Sequence, residues 1–516
     1  MKLLEVTQER PESAQASLKR LFEQANAEQA AGRLAEAEAT CRDILAQDEM
    51  HAGAWHLLGI LAFRSGRAEA AVSHVQRAVA LAPARADSRS TLGFILRALN
   101  RSAEAEATFR QAIERDPEFI EAHYQLGNLL RDTRRAAEAE ASYRRVLALR
   151  PTHHQAHNNL GAALGELNRF DEAAVHFRRA IALKPDYAEA CSNLGHALRA
   201  LGQAHDAEAA CRRAIAIAPR FATAHLNLGL ALQDLGRLDA ALDAFRQAVA
   251  CDPDCAKAIA SAGILHLMRG EFAAGWEKYE ARWRIGDLPP RGFAQPQWRG
   301  EPIERKTILL HAEQGFGDAI QFLRYVPRVL ARGARVVLEV PRPLLPLASR
   351  IVGITAVARG DPLPAFDVHC PLLSLPLAFG TTLEIIPAGG AYLTVAPERA
   401  AHWRTRIMAE RGFKVGLAWA GSAVHRNDYN RSIALDRLAP LFTVSGVRWL
   451  SLQVGPHAAD LAQLHGAPVT EILSRPAAEV HPPRNRTSAC SPCRRTSGQR
   501  RRRGRAHKGR QGCPPE

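Results

Sequence analysis

A glycine that returns every 34 residues is the feature that most constrains what this chain can fold into. It occupies Gly59, Gly93, Gly127, Gly161, Gly195, Gly229 and Gly263. An alanine series from Ala37 to Ala241 and a proline series from Pro83 to Pro253 keep the same spacing. Self-similarity at a fixed period predicts a stack of like structural units, each of which contacts only its neighbours.

The residue types in these series indicate what each unit is. Bulky residues stand four positions after most of the alanines, at Phe109, Tyr143, Phe177 and Phe245. Gly and Ala let two helices approach closely, and Pro ends the second helix. The pattern is that of the tetratricopeptide repeat (TPR), a 34-residue helix pair. We predict an all-α TPR solenoid of about seven to eight repeats at residues 18–285, after a lead at 1–17.

One face of such a solenoid is a candidate binding groove. The first helices line the concave face, which usually binds a partner. The residues two before successive glycines include Gln125, Asn159, Asn193 and Asn227. A carboxamide offers one acceptor and two donors, which suits it to holding an extended peptide backbone. The array resembles the TPR region of eukaryotic O-linked N-acetylglucosamine transferase, where an asparagine ladder has this role. Alternatively, these are polar residues on a solvated helix face.

The end of the array departs from the repeat pattern. Residues 270–283 carry the aromatics Phe272, Trp276, Tyr279 and Trp283. These side chains are predicted to cap the array, to pack it against the next domain, or both. Residues 286–304 are rich in Pro and Gly and are predicted to be a linker.

From residue 305 onward, strand-like apolar runs alternate with helical stretches. The runs are Thr307–Ala312, Ala334–Val340, Ile354–Ala358, Phe366–Cys370, Lys414–Ala420 and Arg448–Val454, and helical stretches are predicted at 319–332 and 397–411. This alternation predicts an α/β module with parallel sheets covered by helices. We expect a first Rossmann-like half at 305–396 and an incomplete second half at 397–475. Two such halves would form a glycosyltransferase GT-B architecture.

Four segments of this module carry a family resemblance. They are LLHAEQGFGDAIQFLRY, ARVVLEV, FDVHCPLLSLPLAFGT and KVGLAWAGSAVHRNDYNRSIAL. These segments resemble the carboxyl-terminal domain of bacterial TPR proteins related to glycosyltransferase family 9, the heptosyltransferases. The resemblance implies inverting transfer of a sugar from a nucleotide sugar to a peptide or glycan. It implies no metal and no cofactor other than the nucleotide sugar, which is a substrate.

The resemblance also implies roles for individual residues. Asp318 matches the proposed catalytic base of the family and lies in a loop with Gly315 and Gly317. A carboxylate can take the proton of the acceptor hydroxyl, and glycines allow a substrate to come close to the backbone. The alternative is that Asp318 only caps a helix that begins at Ala319.

The donor diphosphate is expected at the first loop of the second half. By resemblance, the loop at 421–432 supplies Gly421, Ser422, Arg431 and Ser432, and Gln453 is a weaker candidate. Arg offers a bidentate fork to phosphate oxygens, and Ser offers a hydroxyl donor. The alternative is an ordinary solvated loop.

The last residues differ in composition from everything before them. Residues 481–516 contain eleven Lys or Arg and one Glu, so they supply most of the net charge of +15. We predict a basic disordered tail at 476–516. It binds nucleic acid by charge, or holds zinc through Cys490, Cys493, His507 and Cys513, or results from a frameshift. We favour the frameshift, because the family pattern stops in mid-domain and the donor-binding end is missing.

Two functions from different classes follow. The first is a TPR-linked glycosyltransferase, inactive if the donor-binding end is truly lost. The second is a non-catalytic TPR scaffold for protein–protein interaction. No apolar run reaches the ~20 residues that span a bilayer, and the first residues lack a secretory signal. Nine scattered cysteines without regular spacing favour a reduced, cytoplasmic compartment.

Overall fold

A computed structural model describes residues 11–286, 288–289, 291–388, 390–408, 412–421, 428, 431–463 and 469–471. Contacts between residues divide the chain into two compact units, Met1–Ala409 and Glu410–Glu516. Ser422 and the predicted tail at 476–516 lie outside the described residues. The three hypotheses about that tail therefore stay predictions.

The first part of the chain is a series of helix pairs, as the 34-residue period predicts. The pairs follow one another from Pro11 to Tyr279, so the first helix begins before the predicted residue 18. Ala25, fully buried, stands in the first pair where the later pairs have glycine. The sixteen helices are α1 Pro11–Ala30, α2 Leu34–Gln47, α3 Ala52–Arg64, α4 Ala68–Leu81, α5 Ala86–Ala98, α6 Ser102–Arg115, α7 Ile120–Asp132, α8 Ala136–Leu149, α9 His154–Glu166, α10 Phe170–Leu183, α11 Ala188–Ala200, α12 Ala204–Ile217, α13 Ala222–Asp234, α14 Leu238–Cys251, α15 Ala256–Met268 and α16 Phe272–Tyr279.

The repeat glycines of the first helices pack directly against the bulky residues of the second helices. A Cβ atom added at Gly161 would lie 2.8 Å from the ring of Phe177, which is too close for two carbon atoms. Gly93, Gly127 and Gly229 meet Phe109, Tyr143 and Phe245 in the same way. The first helix of a pair therefore packs its backbone directly on an aromatic ring of the second helix.

A four-stranded parallel sheet follows the array within the same unit. Its strands are β1 Thr307–His311, β2 Arg335–Val340, β3 Ile354–Ala358 and β4 Val368–Pro371, in the order β3-β2-β1-β4. The predicted helix at 319–332 is instead two short helices, α17 Phe316–Phe322 and α18 Val326–Leu330, joined by a 3-10 turn. The remaining helices are α19 Leu345–Ala348, α20 Leu375–Ala378 and α21 Pro397–Met408.

Residues 286–304, predicted to be a linker, contribute to the core of this sheet. Trp298 is only 2% exposed, and its backbone N–H donates to the carbonyl oxygen of His369 at 2.7 Å. The N–H of His369 donates in turn to the carbonyl oxygen of Pro296 at 3.1 Å. The segment thus pairs with β4, because a parallel sheet edge offers backbone groups that need partners.

The second unit contains a smaller parallel sheet. Its strands are β5 Phe413–Leu417, β6 Val447–Ser451 and β7 Val469–Glu471, in that order. Phe413 is 73% exposed, so this sheet leaves large apolar side chains in contact with solvent. Two small parallel sheets are therefore present, and the finer expectation of a GT-B architecture stays a prediction. No helix within the described ranges is long and apolar enough to cross a membrane.

Candidate functional site

The first helices of the pairs form one continuous face of the array. Each of α3, α5, α7, α9, α11 and α13 contacts the first helix of the next pair, whereas successive second helices contact each other less or not at all. An array that packs more tightly along one row of helices curves toward that row. We call this row the first-helix face, and it contains all four predicted groove residues, Gln125, Asn159, Asn193 and Asn227.

The asparagines on this face join one repeat to the next. In four cases the side chain two residues before a repeat glycine bonds to the side chain three residues before the glycine of the preceding repeat. The four pairs are Thr91 with His56 at 2.9 Å, Asn159 with Tyr124 at 3.1 Å, Asn193 with Asn158 at 3.0 Å and Asn227 with Ser192 at 3.0 Å. The ladder is therefore a set of hydrogen bonds between neighbouring first helices.

The carboxamide side chains of this face differ in which of their atoms form hydrogen bonds. Asn159 donates both amide N–H groups, to Tyr124 and to Asn128 Oδ1, and its Oδ1 accepts from Asn158. Asn193 and Asn227 use only their amide nitrogens, and their Oδ1 atoms accept no hydrogen bond from the part of the chain that the structure describes. Gln125 pairs with Glu121 and, at 3.5 Å, with Arg97.

Apolar side chains flank the polar centre of the first-helix face. Phe94, 40% exposed, lies one helical turn after Thr91, and its ring contacts the ring of Phe63 on the neighbouring first helix at 5.6 Å. Ile264 and Met268 are exposed on α15. The face thus offers apolar contact toward its ends and hydrogen-bond acceptors between them.

The loop after β1 holds the predicted catalytic residue. Asp318 is the third residue of α17, which begins at Phe316 and not at the predicted Ala319. Its Oδ2 accepts a hydrogen bond from the backbone N–H of Gly315 at 3.2 Å. Asp318 therefore caps the helix from inside its first turn, as carboxylates do near helix N-termini. Whether it also acts as a base stays a prediction.

Neither glycine of this loop is required by the backbone or by packing. Gly315 has φ −68°, and an added Cβ would meet only Asp318 Oδ2, at an ordinary 3.4 Å. An added Cβ at Gly317 would meet nothing within 4 Å. The loop surface is open at both positions, so a bound group could come close to its backbone.

Beside this loop lies a buried charge cluster that the sequence pattern did not reveal. The Glu313 side chain, 3% exposed, pairs with Arg282 Nη2 at 2.8 Å. The same nitrogen donates to Ser374 Oγ at 2.8 Å, and Ser374 donates to Glu280 at 2.7 Å. Burial raises the pKa of Glu313 to about 7, although Arg282 acts to lower it. The one available signal was an acidic residue directly after an apolar strand.

The predicted donor loop in the second unit is held together by its own residues. Ser432 Oγ accepts from the N–H of Gly421 at 2.9 Å and donates to Asp428 at 2.8 Å. Gln453 is buried and uses its carboxamide fully, accepting from the N–H groups of Trp419 and Ala420 and donating to two backbone carbonyls. Arg431 is exposed and makes no ion pair with the residues that the structure describes. The diphosphate-binding roles of these residues stay predictions.

Comparison with known proteins also finds repeats of this kind in the part of the chain that forms helix pairs. Family models described as tetratricopeptide repeat match residues 50–118, 91–154, 124–188, 164–213, 192–256 and 226–284. The chain is also similar to Protein FlbA of Caulobacter vibrioides, with 28% identity over 225 residues, or 39% of this chain. The matched part is 38% of the length of that relative.

Several solved structures are similar over part of the chain. MamA is 27% identical with a TM-score of 0.30, covering 33% of this chain and 94% of MamA. The APC/C hetero-tetramer Cut9-Hcn1 is 18% identical with a TM-score of 0.40, covering 55% and 54% of the two chains. YrrB, described as a TPR protein with an unusual peptide-binding site, is 22% identical with a TM-score of 0.32, covering 36% and 96%. By its period, its helix pairs and the matched family models, the N-terminal array of this chain consists of tetratricopeptide repeats, which suggest interaction with other proteins.

Proposed function

We propose that the TPR array binds an extended segment of a partner protein along its first-helix face. The observation that carries the proposal is the pair of Oδ1 atoms at Asn193 and Asn227, which accept no hydrogen bond from the described residues and lie one repeat apart on that face. An extended peptide presents backbone N–H groups at regular intervals and can donate to both oxygens. Exposed Phe94 and Ile264 add apolar contact toward the two ends.

The four predicted groove residues then have different roles. Asn193 and Asn227 contact the peptide through their oxygens. Asn159 keeps neighbouring repeats in register through its two hydrogen bonds to Tyr124 and Asn128. Gln125 borders the peptide beside Glu121. Binding by backbone groups reads the extended shape of the partner more than its side chains.

The proposal is tested by affinity measurements on the full chain. Peptides that bind the wild-type protein are selected from an array of extended sequences, and their affinities are compared in the double variant Asn193→Ala, Asn227→Ala. Loss of two hydrogen bonds, each worth about 1 kcal/mol, predicts affinity weaker by about tenfold or more. Gln111→Ala, an exposed carboxamide on the second helix α6, is the matched control and leaves affinity unchanged. Equal affinity of the double variant and the wild type would contradict the proposal.

A second candidate function, sugar transfer from a nucleotide sugar, is favoured by the loop after β1. Gly315 and Gly317 are open glycines at the carboxyl end of a parallel strand, where α/β sheets bind their ligands. Asp318 would take the proton of the acceptor hydroxyl. The donor diphosphate would lie near Gly421, Ser422, Arg431, Ser432 and Gln453.

This candidate is tested by incubating the full chain with a panel of radiolabelled nucleotide sugars and bound peptides. If the wild type transfers sugar, Asp318→Asn should lower the rate by about 10²–10⁴-fold, the usual effect of removing a general base. Asp361→Asn, which alters a partly exposed carboxylate that pairs with Arg342 after β3, is the control and keeps the wild-type rate. Transfer by the wild type that persists in Asp318→Asn would exclude the base role.

A further inference from the structure

The crevice between the carboxyl ends of β1 and β4 is the position in the first sheet where a ligand is expected. The strand order β3-β2-β1-β4 means that the chain leaves β1 toward one side and later adds β4 on the other. Ligands of open parallel sheets bind at such a change of direction. Here, residues of the TPR array reach this position: Arg282 contacts Glu313 after β1 and Ser374 after β4.

Arg282 is held firmly in that place. It lies in the 3-10 turn Glu280–Arg284 directly after α16 and is 4% exposed. Its Nη1 donates to Glu280 at 2.5 Å. Its guanidinium carbon lies 4.8 Å from the ring centre of Tyr279 and 5.0 Å from that of Trp283. A planar guanidinium that is stacked and hydrogen-bonded through both Nη atoms has little freedom to turn away.

Further contacts tie the same loop to the last helix of the array. Gln314 Nε2 donates to the hydroxyl of Tyr279 at 2.9 Å. The rings of Trp276 in α16 and Phe322 in α17 meet edge to face at 5.8 Å. Consecutive residues of the loop, Glu313 and Gln314, are therefore both bound by side chains from residues 279–282.

We propose that Arg282 is a positioning residue, through which the last TPR helix pair sets the conformation of the loop Glu313–Asp318. The part of the proposal that makes this loop a sugar-transfer site rests on the second proposed function; the coupling between array and loop does not. A partner that shifts α16 would shift the loop with it, so binding to the array and the geometry of the loop are linked.

The ionisation of Glu313 supplies a readout specific to this ion pair. Two carboxylates, Glu280 and Glu313, share one guanidinium, and burial raises the pKa of Glu313 to about 7. Glu313 takes up its proton more readily in the buried loop than in an opened, solvated one, so protonation favours the closed loop, and loop exchange should slow as the pH falls from 8 to 6. The charged and titratable groups that act on or respond to this carboxyl are Arg282, Glu280 and Tyr279 from the end of the array and Cys370 in β4.

The test is amide hydrogen exchange of residues 313–317 in the full chain, corrected for intrinsic rates. Arg282→Met should raise exchange in this loop by about tenfold or more, because it leaves Glu313 buried without its counter-ion, while exchange in α3–α14 stays as in the wild type. Loop exchange in Arg282→Lys should be intermediate between that of the wild type and that of Arg282→Met, because an ammonium group lacks the planar geometry with which the guanidinium binds Glu313 and Ser374. Glu313→Gln should abolish the dependence of loop exchange on pH between 6 and 8.

The matched control is Arg291→Met, which breaks a second, partly buried ion pair of the same sheet, with Glu339 at 2.8 Å, outside the array. It should leave exchange at 313–317 unchanged. If Arg282→Met fails to fold, the double variant Arg282→Met, Glu313→Gln removes the stranded charge and should still show a loosened loop. Unchanged loop exchange in the Arg282 variants, or an equal rise in Arg291→Met, would overturn the proposal. Failure of sugar transfer or of peptide binding would leave this readout untouched.

Discussion

The side chain that faces each repeat glycine decides how closely the two helices of a pair approach. In four repeats it is an aromatic ring, but Gly195 faces Cys211 and Gly59 faces Val75. An added Cβ would lie 2.3 Å from Cys211 Sγ and 2.2 Å from Val75 Cγ2, closer than to any of the rings. The space beside the glycine is thus no larger where the facing residue is smaller, since interiors close around small side chains. Glycine is needed in either case.

Gly161→Ala is predicted to destabilise the array. The added methyl would lie 2.8 Å from the ring of Phe177, and such overpacking costs about 1–3 kcal/mol, more than the ~0.5–1 kcal/mol that Ala gains over Gly in a helix. Gly165→Ala lies in the same helix with its nearest neighbour 3.8 Å away and should be neutral or stabilising. Urea unfolding followed by circular dichroism compares the two. If the Gly161→Ala variant is as stable as the Gly165→Ala variant, the ring of Phe177 moves aside without a loss of folding free energy.

At the scale of elements, the ends of β1, β2 and β4 bring polar side chains onto one face of the first sheet. His311 pairs in register with Glu339, and His369 pairs with Leu309. Because Leu309 and His311 are two residues apart in β1, the side chains of His311, Glu339 and His369 point to the same side of the sheet. His311 Nε2 lies 3.3 Å from His369 Nδ1, and Glu339 pairs with Arg291. Burial, followed by the charge of Arg291, lowers the pKa of His311 to about 3.

The contribution of His311 to the stability of this sheet should therefore be lost in acid. The unfolded chain binds a proton at His311 below its ordinary pKa of about 6.5, whereas the folded sheet does so only near 3. The contribution of His311 is complete above pH 6.5 and is lost as the pH falls toward 3. At pH 5 the loss is about 2 kcal/mol. Glu313 acts in the opposite sense between pH 4.5 and 7, because its pKa is raised in the folded state.

The two effects are separated by the variant His311→Gln, which leaves Glu313 in place. Its free energy of unfolding, measured by hydrogen exchange of the β1 amides, should rise as the pH falls from 6.5 to 5, whereas the opposing contributions of His311 and Glu313 keep that of the wild type nearly constant. The difference between the two slopes isolates His311, since Glu313 contributes equally to both proteins. Parallel pH profiles would show that His311 can take up its proton without loss of structure.

At the scale of the whole molecule, the TPR array and the first sheet share a buried boundary. Trp276, Tyr279 and Arg282 of the array contact the loop after β1 or the helix that follows it. A fragment that ends at residue 285 would expose these side chains and leave Arg282 without Glu313 and Ser374. The structural division of the chain accordingly falls between residues 409 and 410 and not at the predicted linker. Peptide-binding experiments should use the full chain for this reason.

The sequence by itself determined the repeats and most of the strands. A 34-residue period with Gly, Ala and Pro at fixed positions specifies helix pairs, because each pair is built from contacts close in sequence. Apolar runs located β1, β2, β3 and β4 to within two residues for the same local reason. The three-residue strand β7 Val469–Glu471 gave no comparable signal, since it is too short to show a pattern.

Only the tertiary structure decided which partners the polar side chains find. Asn159 was expected to face a peptide, yet its hydrogen bonds go to Tyr124 and Asn128, about one repeat earlier in the chain. Arg282 meets Ser374, 92 residues later. Such contacts depend on how helices and strands stack, so the positions of the residues in the sequence did not predict which side chains would meet. A buried polar group must find a partner wherever packing places one, so its partner is a property of the assembled fold.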